Sequence, residues 1–108
     1  MASFNALATP GLSSAELRAV CYVLGELRGE HWRAIPGAMR SDIARALSEA
    51  GNGLARFSHG IYSTKELHAS FAAGFFFAYA DKILSSPVPS AEEKERAKAL
   101  IQIGRAHV

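Results

Sequence analysis

The side chains in this sequence that could carry chemistry are its four histidines, one cysteine and a helix-spaced pair of carboxylates. The histidines are His31, His59, His68 and His107. Zinc needs three or four converging ligands, usually announced by close pairs such as H-x-x-x-H or C-x-x-C. No such pair occurs. The nearest thing to a ligand set is His31 and His59 with Glu26 or Glu30, and surface or hydrogen-bonded histidines are the simpler expectation. A Cys–His nucleophilic pair would need an accessible, activated thiolate. Cys21 instead falls in an apolar stripe, where a free cysteine behaves as a small hydrophobe. Glu26 and Glu30 are four apart, and with Arg18, Arg28 and Arg33 nearby they read as a solvated, ion-paired face rather than an acid–base couple. Gly51-Asn52-Gly53 and Gly60 belong to no G-x-x-x-x-G-K-[ST] or G-x-G-x-x-G string. The expectation is a protein that is not an enzyme and holds no metal or cofactor.

The elements that would position these residues are all helices. Capping boxes of the S-x-x-E type occur at Ser13–Glu16, Ser63–Glu66 and Ser90–Glu93, each a signature of a helix start. The spacing predicts four helices, at roughly 13–31, 36–50, 64–85 and 90–102. In the first, Leu17, Val20, Cys21, Leu24 and Leu27 recur at helical spacing, while Gly25 and Gly29 weaken its second half. Pro36 suits the first turn of the second helix, whose apolar face is Met39, Ile43, Ala46, Leu47 and Ala50. Gly51-Asn52-Gly53 is expected to cap and end it. Ser85-Ser86-Pro87-Val88-Pro89 breaks the chain before a charged fourth helix whose thin apolar edge is Ala97, Leu100 and Ile101.

The third helix is the unusual one. Phe71, Ala72, Ala73, Phe75, Phe76, Phe77, Ala78, Tyr79 and Ala80 make it apolar all round, and such a helix must be buried all round. A chain of 108 residues has one core and few neighbours to supply. The fold expected is therefore all-α, a four-helix bundle-like single domain with the third helix central, completed as a homodimer through Phe71, Phe75, Phe76 and Tyr79. Residues 1–12, with Phe4, Leu7 and Leu12, read as a flexible arm, and 13–102 as the helical domain.

Composition excludes several function classes. Hydrophobic residues are 49% and charged ones 20%, so the chain is globular rather than disordered. Twelve basic against ten acidic side chains leave a net charge of +2, too even to argue nucleic acid or a membrane surface. The longest apolar run falls short of the roughly 20 residues that a bilayer requires. The single cysteine excludes an intramolecular disulfide and fits a reducing, cytoplasmic setting, and from an N-terminal stretch without basic residues or a long apolar run no secretory signal is expected.

Two surfaces could recognise a macromolecule. Trp32, Arg33, Ile35 and Met39 cluster at the bend between the first two helices, with Phe57 and Tyr62 as neighbours across the following loop. Tryptophan, methionine and arginine are enriched where proteins bind one another. The alternative is a helix-turn-helix over Ser41–Ser58, with Arg40, Arg45 and Arg56 on phosphates. Against it, the segment after the turn has one arginine and no Asn, Gln or Lys to read base edges. In size, helical content and lack of chemistry the chain is similar to small bacterial antiactivators that sequester quorum-sensing transcription regulators, and to phage anti-defence proteins such as anti-CRISPRs. That likeness covers bulk properties alone and implies no residue roles. It makes the expected function steric inhibition of a larger protein partner. The last six residues, IGRAHV, are encoded by ATC GGA AGA GCA CAC GTC, a string shared with sequencing-library adapters. Residues 103–108 thus read either as a non-native tail or as a frayed terminus, and Arg105 and His107 carry no functional argument.

Overall fold

The computed structural model describes residues 4–56 and 64–106. They form α1 (Ser14–Arg33), α2 (Arg40–Ala55), α3 (Thr64–Ala80) and α4 (Ala91–Ala106), preceded by a short 3-10 helix over Asn5–Ala8. No strand occurs among the described residues. The all-helical expectation holds, and the radius of gyration, 13.0 Å, is that of a compact domain of this length.

Two helix starts are built as the sequence implies. Ser13 Oγ accepts from the Glu16 N–H at 3.1 Å, and Glu16 Oε1 accepts from the Ser13 N–H at 3.0 Å. Ser90 and Glu93 repeat the exchange at 3.2 and 2.8 Å. The box expected at Ser63–Glu66 lies partly outside the described residues. α2 starts four residues later than its proline suggests. Pro36-Gly37 forms a turn instead, with Gly37 at φ 75°, a conformation that favours glycine. The Asp42 carboxylate then accepts from the Met39 N–H at 3.0 Å and opens the helix there.

Gly51-Asn52-Gly53 does not end α2. The helix runs through it to Ala55, because Ala50 and Leu54 on either side are buried and hold the backbone helical. Tertiary packing here overrides weak local propensity. α3 ends at Ala80 rather than near residue 85. Asp81 turns left-handed at φ 54°, and the N–H groups of Asp81 and Lys82 donate back to the carbonyls of Phe77 and Phe76. α4 continues past residue 102 to Ala106, into the segment read as tail.

The N-terminal residues are not a free arm from Phe4 onward. Ala6 and Leu7 are buried in the common core, and the Phe4 ring meets Phe71 at 6.0 Å. A Cβ on Gly53 would lie 2.8 Å from Phe4 Cε2, so that glycine makes room for the ring.

α1 and α3 share the centre, so α3 is not the sole central helix. Gly25 and Gly29 do not weaken α1; they let α3 approach it backbone to backbone. A Cβ on Gly25 would fall 2.0 Å from the Phe71 carbonyl oxygen, and one on Gly29 2.3 Å from that of Phe75. Gly74 reciprocates, its absent Cβ 2.0 Å from the Tyr22 carbonyl. Residues 22–29 thus track residues 71–78 in the same direction, and the two helices run parallel. α2 packs on α3, and α4 on α1 with the 3-10 helix. Ala97, Leu100 and Ile101 bury on that side as expected, whereas Leu27, expected in the α1 stripe, is exposed.

Candidate protein-interaction surfaces

The buried aromatic ladder of α3 leaves a defined remainder. Phe71 and Phe75 are 1% and 0% exposed within this one chain, so their rings have no surface to offer a second copy as the sequence reading expected. Phe76 and Tyr79 are partly buried against the same core, edge-on to and tilted on the Phe75 ring at 5.4 and 5.6 Å respectively. Phe77, part of the aromatic surplus expected of this helix but not of the expected dimer contact, is the exposed member at 42%. Its signal was available: it lies two residues from Phe75, on the side of the helix away from the Phe71–Phe75 stripe.

Two recesses flank Phe77. One, about 240 Å³, is apolar, lined by Tyr22, Ala73, Ile83, Leu84 and Val88, with Lys82 and Lys94 beside them. Ile83 and Val88 are 82% and 57% exposed, because the early end of α3 leaves them in the connection to α4. The other, about 390 Å³, is mixed, with the charged side chains of Glu26, Glu30, Arg33 and Asp81 around Ala34 and Ala78. Lys94 Nζ ties the two together. It sits 3.5 Å from Glu26 and 4.9 Å from the centre of the Tyr22 ring. Burial, and secondarily the Glu26 charge, push the Tyr22 phenol up.

The second surface is the bend after α1. Trp32 packs half-buried against the core, its ring edge-on to His31 at 5.9 Å. Its indole nitrogen is buried with no hydrogen-bond partner among the described residues, as is Ser70 Oγ. Arg33 points back to α3, donating to the Ala78 carbonyl at 3.3 Å and pairing with Asp81 at 3.6 Å. Ile35 and Met39 project into solvent, Met39 at 66% exposure, so the apolar face predicted for α2 excludes it. Phe57 and Tyr62, expected beside this bend, lie outside the described residues, as does His59.

The remaining chemical candidates are separated. Cys21 is fully buried, and desolvation pushes its thiol up to about 12. His68 Nε2 lies 2.9 Å from the Leu47 carbonyl and joins α3 to α2. Among the described residues no group of three or more His, Cys, Asp or Glu could hold a metal ion, and no helix is long and apolar enough to cross a membrane. Arg40 and Arg45 are exposed on α2 and Arg56 just past its end, Arg45 paired with Asp42 at 3.4 Å. Since α2 is continuous through residues 51–53, the turn on which the helix-turn-helix reading depends is missing. Glu16, hydrogen-bonded by Arg96 of α4 and by the Ser13 N–H, is held down at about 2.

Compared with known proteins, the chain matches no family model, no curated protein and no solved structure.

Proposed function

We propose that this chain is a small cytoplasmic interaction regulator, not an enzyme, that self-associates and inhibits a larger protein by covering part of its surface. The observation that carries this reading is the exposure of Ile35 and Met39 beside half-buried Trp32. Apolar anchors of this kind, set around an aromatic ring at a rigid bend, suit a protein-binding hot spot. Arg33 braces the corner through Ala78 and Asp81 and stays exposed beside it. Steric occlusion needs no reacting group, which fits the inhibitors that the chain is similar to in bulk.

The test is capture from a bacterial or phage-infected lysate, quantified for wild type, Ile35→Asp and Met39→Asp. Met39 is 66% exposed, so Met39→Asp should melt as wild type does while capture falls; Ile35 is 36% exposed, and Ile35→Asp is read with its melting curve beside it. Trp32→Ala should weaken binding by about 2 kcal/mol or more. Variants that melt normally and capture the same protein equally well would remove the bend from the interaction.

A further inference from the structure

The third helix was expected to find its missing neighbour in a second copy, and the structure moves the place where that copy could sit. Phe77 is the ring of α3 that is excluded from the chain's own core. Around it lie six charged side chains, three acidic (Glu26, Glu30, Asp81) and three basic (Arg33, Lys82, Lys94). The patch is therefore neutral although its two recesses differ in character.

Four of the six charges are used within the chain, as Glu26–Lys94 at 3.5 Å and Arg33–Asp81 at 3.6 Å. The other two, Glu30 and Lys82, have no ion-pair partner among the described residues, and both are exposed. Glu30 lines the mixed recess and Lys82 the apolar one, and Phe77 lines both. A two-fold axis beside Phe77 would exchange the two recesses between copies. It would lay the unpaired acid of each copy against the unpaired base of the other, twice over, and stack the exposed apolar residues about the axis. An isologous contact requires this self-complementarity: one patch carrying both halves of its own match.

We infer that the Phe77 face, with Glu30 on one side and Lys82 on the other, is the surface through which two copies of this chain associate. This rests on the self-association part of the proposed function and is independent of the Trp32–Met39 bend.

Sedimentation equilibrium over a micromolar dilution series tests it, on wild type, Phe77→Asp, Glu30→Lys, Lys82→Glu and an equimolar mixture of the last two. All three positions are exposed, and melting curves taken alongside confirm that each variant folds. Wild type should dimerise, and Phe77→Asp should be monomeric. Each charge reversal sets like charges together at two places and should weaken the dimer roughly tenfold or more. In the mixture, Glu30→Lys supplies the base that Lys82→Glu has lost, and both cross-pairs return, so the heterodimer should regain wild-type affinity. A monomeric wild type, reversals without effect, or a mixture no tighter than its components would overturn the assignment. Lysate capture by monomeric Phe77→Asp reads the other surface, so a failure of the regulatory reading is recorded separately from a failure of this one.

Discussion

Replacing Gly25 by alanine should destabilise this protein, although the same change in an isolated helix stabilises it. In a solvent-exposed helix interior, Gly→Ala contributes about 0.8–1.0 kcal/mol through backbone entropy. Here the new methyl would fall 2.0 Å from the Phe71 carbonyl oxygen and 2.9 Å from the Phe75 nitrogen. Ordinary contact begins at 3.4 Å, so the α1 and α3 backbones would have to part by about 1.4 Å. Neither neighbour is a flexible side chain that can swing away. Overpacking costs about 1–3 kcal/mol where the surroundings can give, and the upper end applies where they cannot. Net of the propensity gain, the loss should be about 2 kcal/mol, a melting shift of roughly 8–16 °C downward for a domain of this size. Gly51→Ala is the internal control. Its methyl would meet only the His68 ring at 3.6 Å, an ordinary contact, so the propensity gain should appear as a rise of roughly 4–8 °C. Urea and thermal unfolding of both variants give the answer. A Gly25→Ala protein as stable as wild type would refute the backbone-to-backbone contact of α1 and α3.

Three further outcomes follow from the same structure. Cys21 should react with a thiol reagent only as the protein unfolds, because burial keeps the thiol protonated up to about 12; prompt labelling of native protein would put it at the surface. Glu16 is held at about 2, chiefly by Arg96, below the 4.5 of an unperturbed glutamate. Its contribution is therefore complete above pH 4.5 and is lost as pH falls toward 2. The NMR titration midpoint of its carboxyl should rise toward 4.5 in Arg96→Gln, and an unchanged midpoint would remove Arg96 as the cause. Phe4→Ala should lower stability by about 2 kcal/mol, less than the 3–5 of a fully buried phenylalanine; no change would return residues 4–8 to the status of a loose arm.

What could be read from sequence was whatever a few adjacent residues decide. The Ser13 and Ser90 boxes and the Leu17–Leu24 stripe are local patterns, and α1 and α4 begin where they indicate. The glycines were misread because propensity speaks of an isolated helix. Gly25, Gly29 and Gly74 matter for what approaches them from another helix, and Gly53 for the Phe4 ring that fills its space, nearly fifty positions earlier in the chain. The aromatic surplus of α3 was legible, but which of its rings face outward was not. That depends on α1 meeting it at the Gly74–Ala78 side and on Phe4 covering Phe71, both long-range facts. The same holds for the bend, where Trp32 and Met39 are near in sequence yet differ in burial because Pro36-Gly37 turns the chain between them.

The parallel contact of α1 with α3 also explains why an unsatisfied face should exist. α1 takes one side of α3, α2 a second, and Phe4 caps the ring at its N-terminal half. α4, the element that could have closed the remaining side, packs against α1 and the 3-10 helix instead. Phe77 is left over, and the chain leaving Asp81 adds Ile83 and Val88 to the same exposed area. Each copy brings these three, so an isologous dimer covers six side chains, all partly covered already and each contributing at most about 1.5–3 kcal/mol. Bringing two molecules together costs on the order of 4–15 kcal/mol in lost freedom. The two quantities are of similar size, so apolar burial alone does not hold a dimer together at low concentration. In the proposed dimer the Glu30–Lys82 cross-pairs would add to that burial, and a dimer built this way should loosen as salt is raised, since exposed pairs are screened over about 10 Å at 0.1 M ionic strength. A dimer indifferent to salt would mean that its stability comes from a different, more apolar surface.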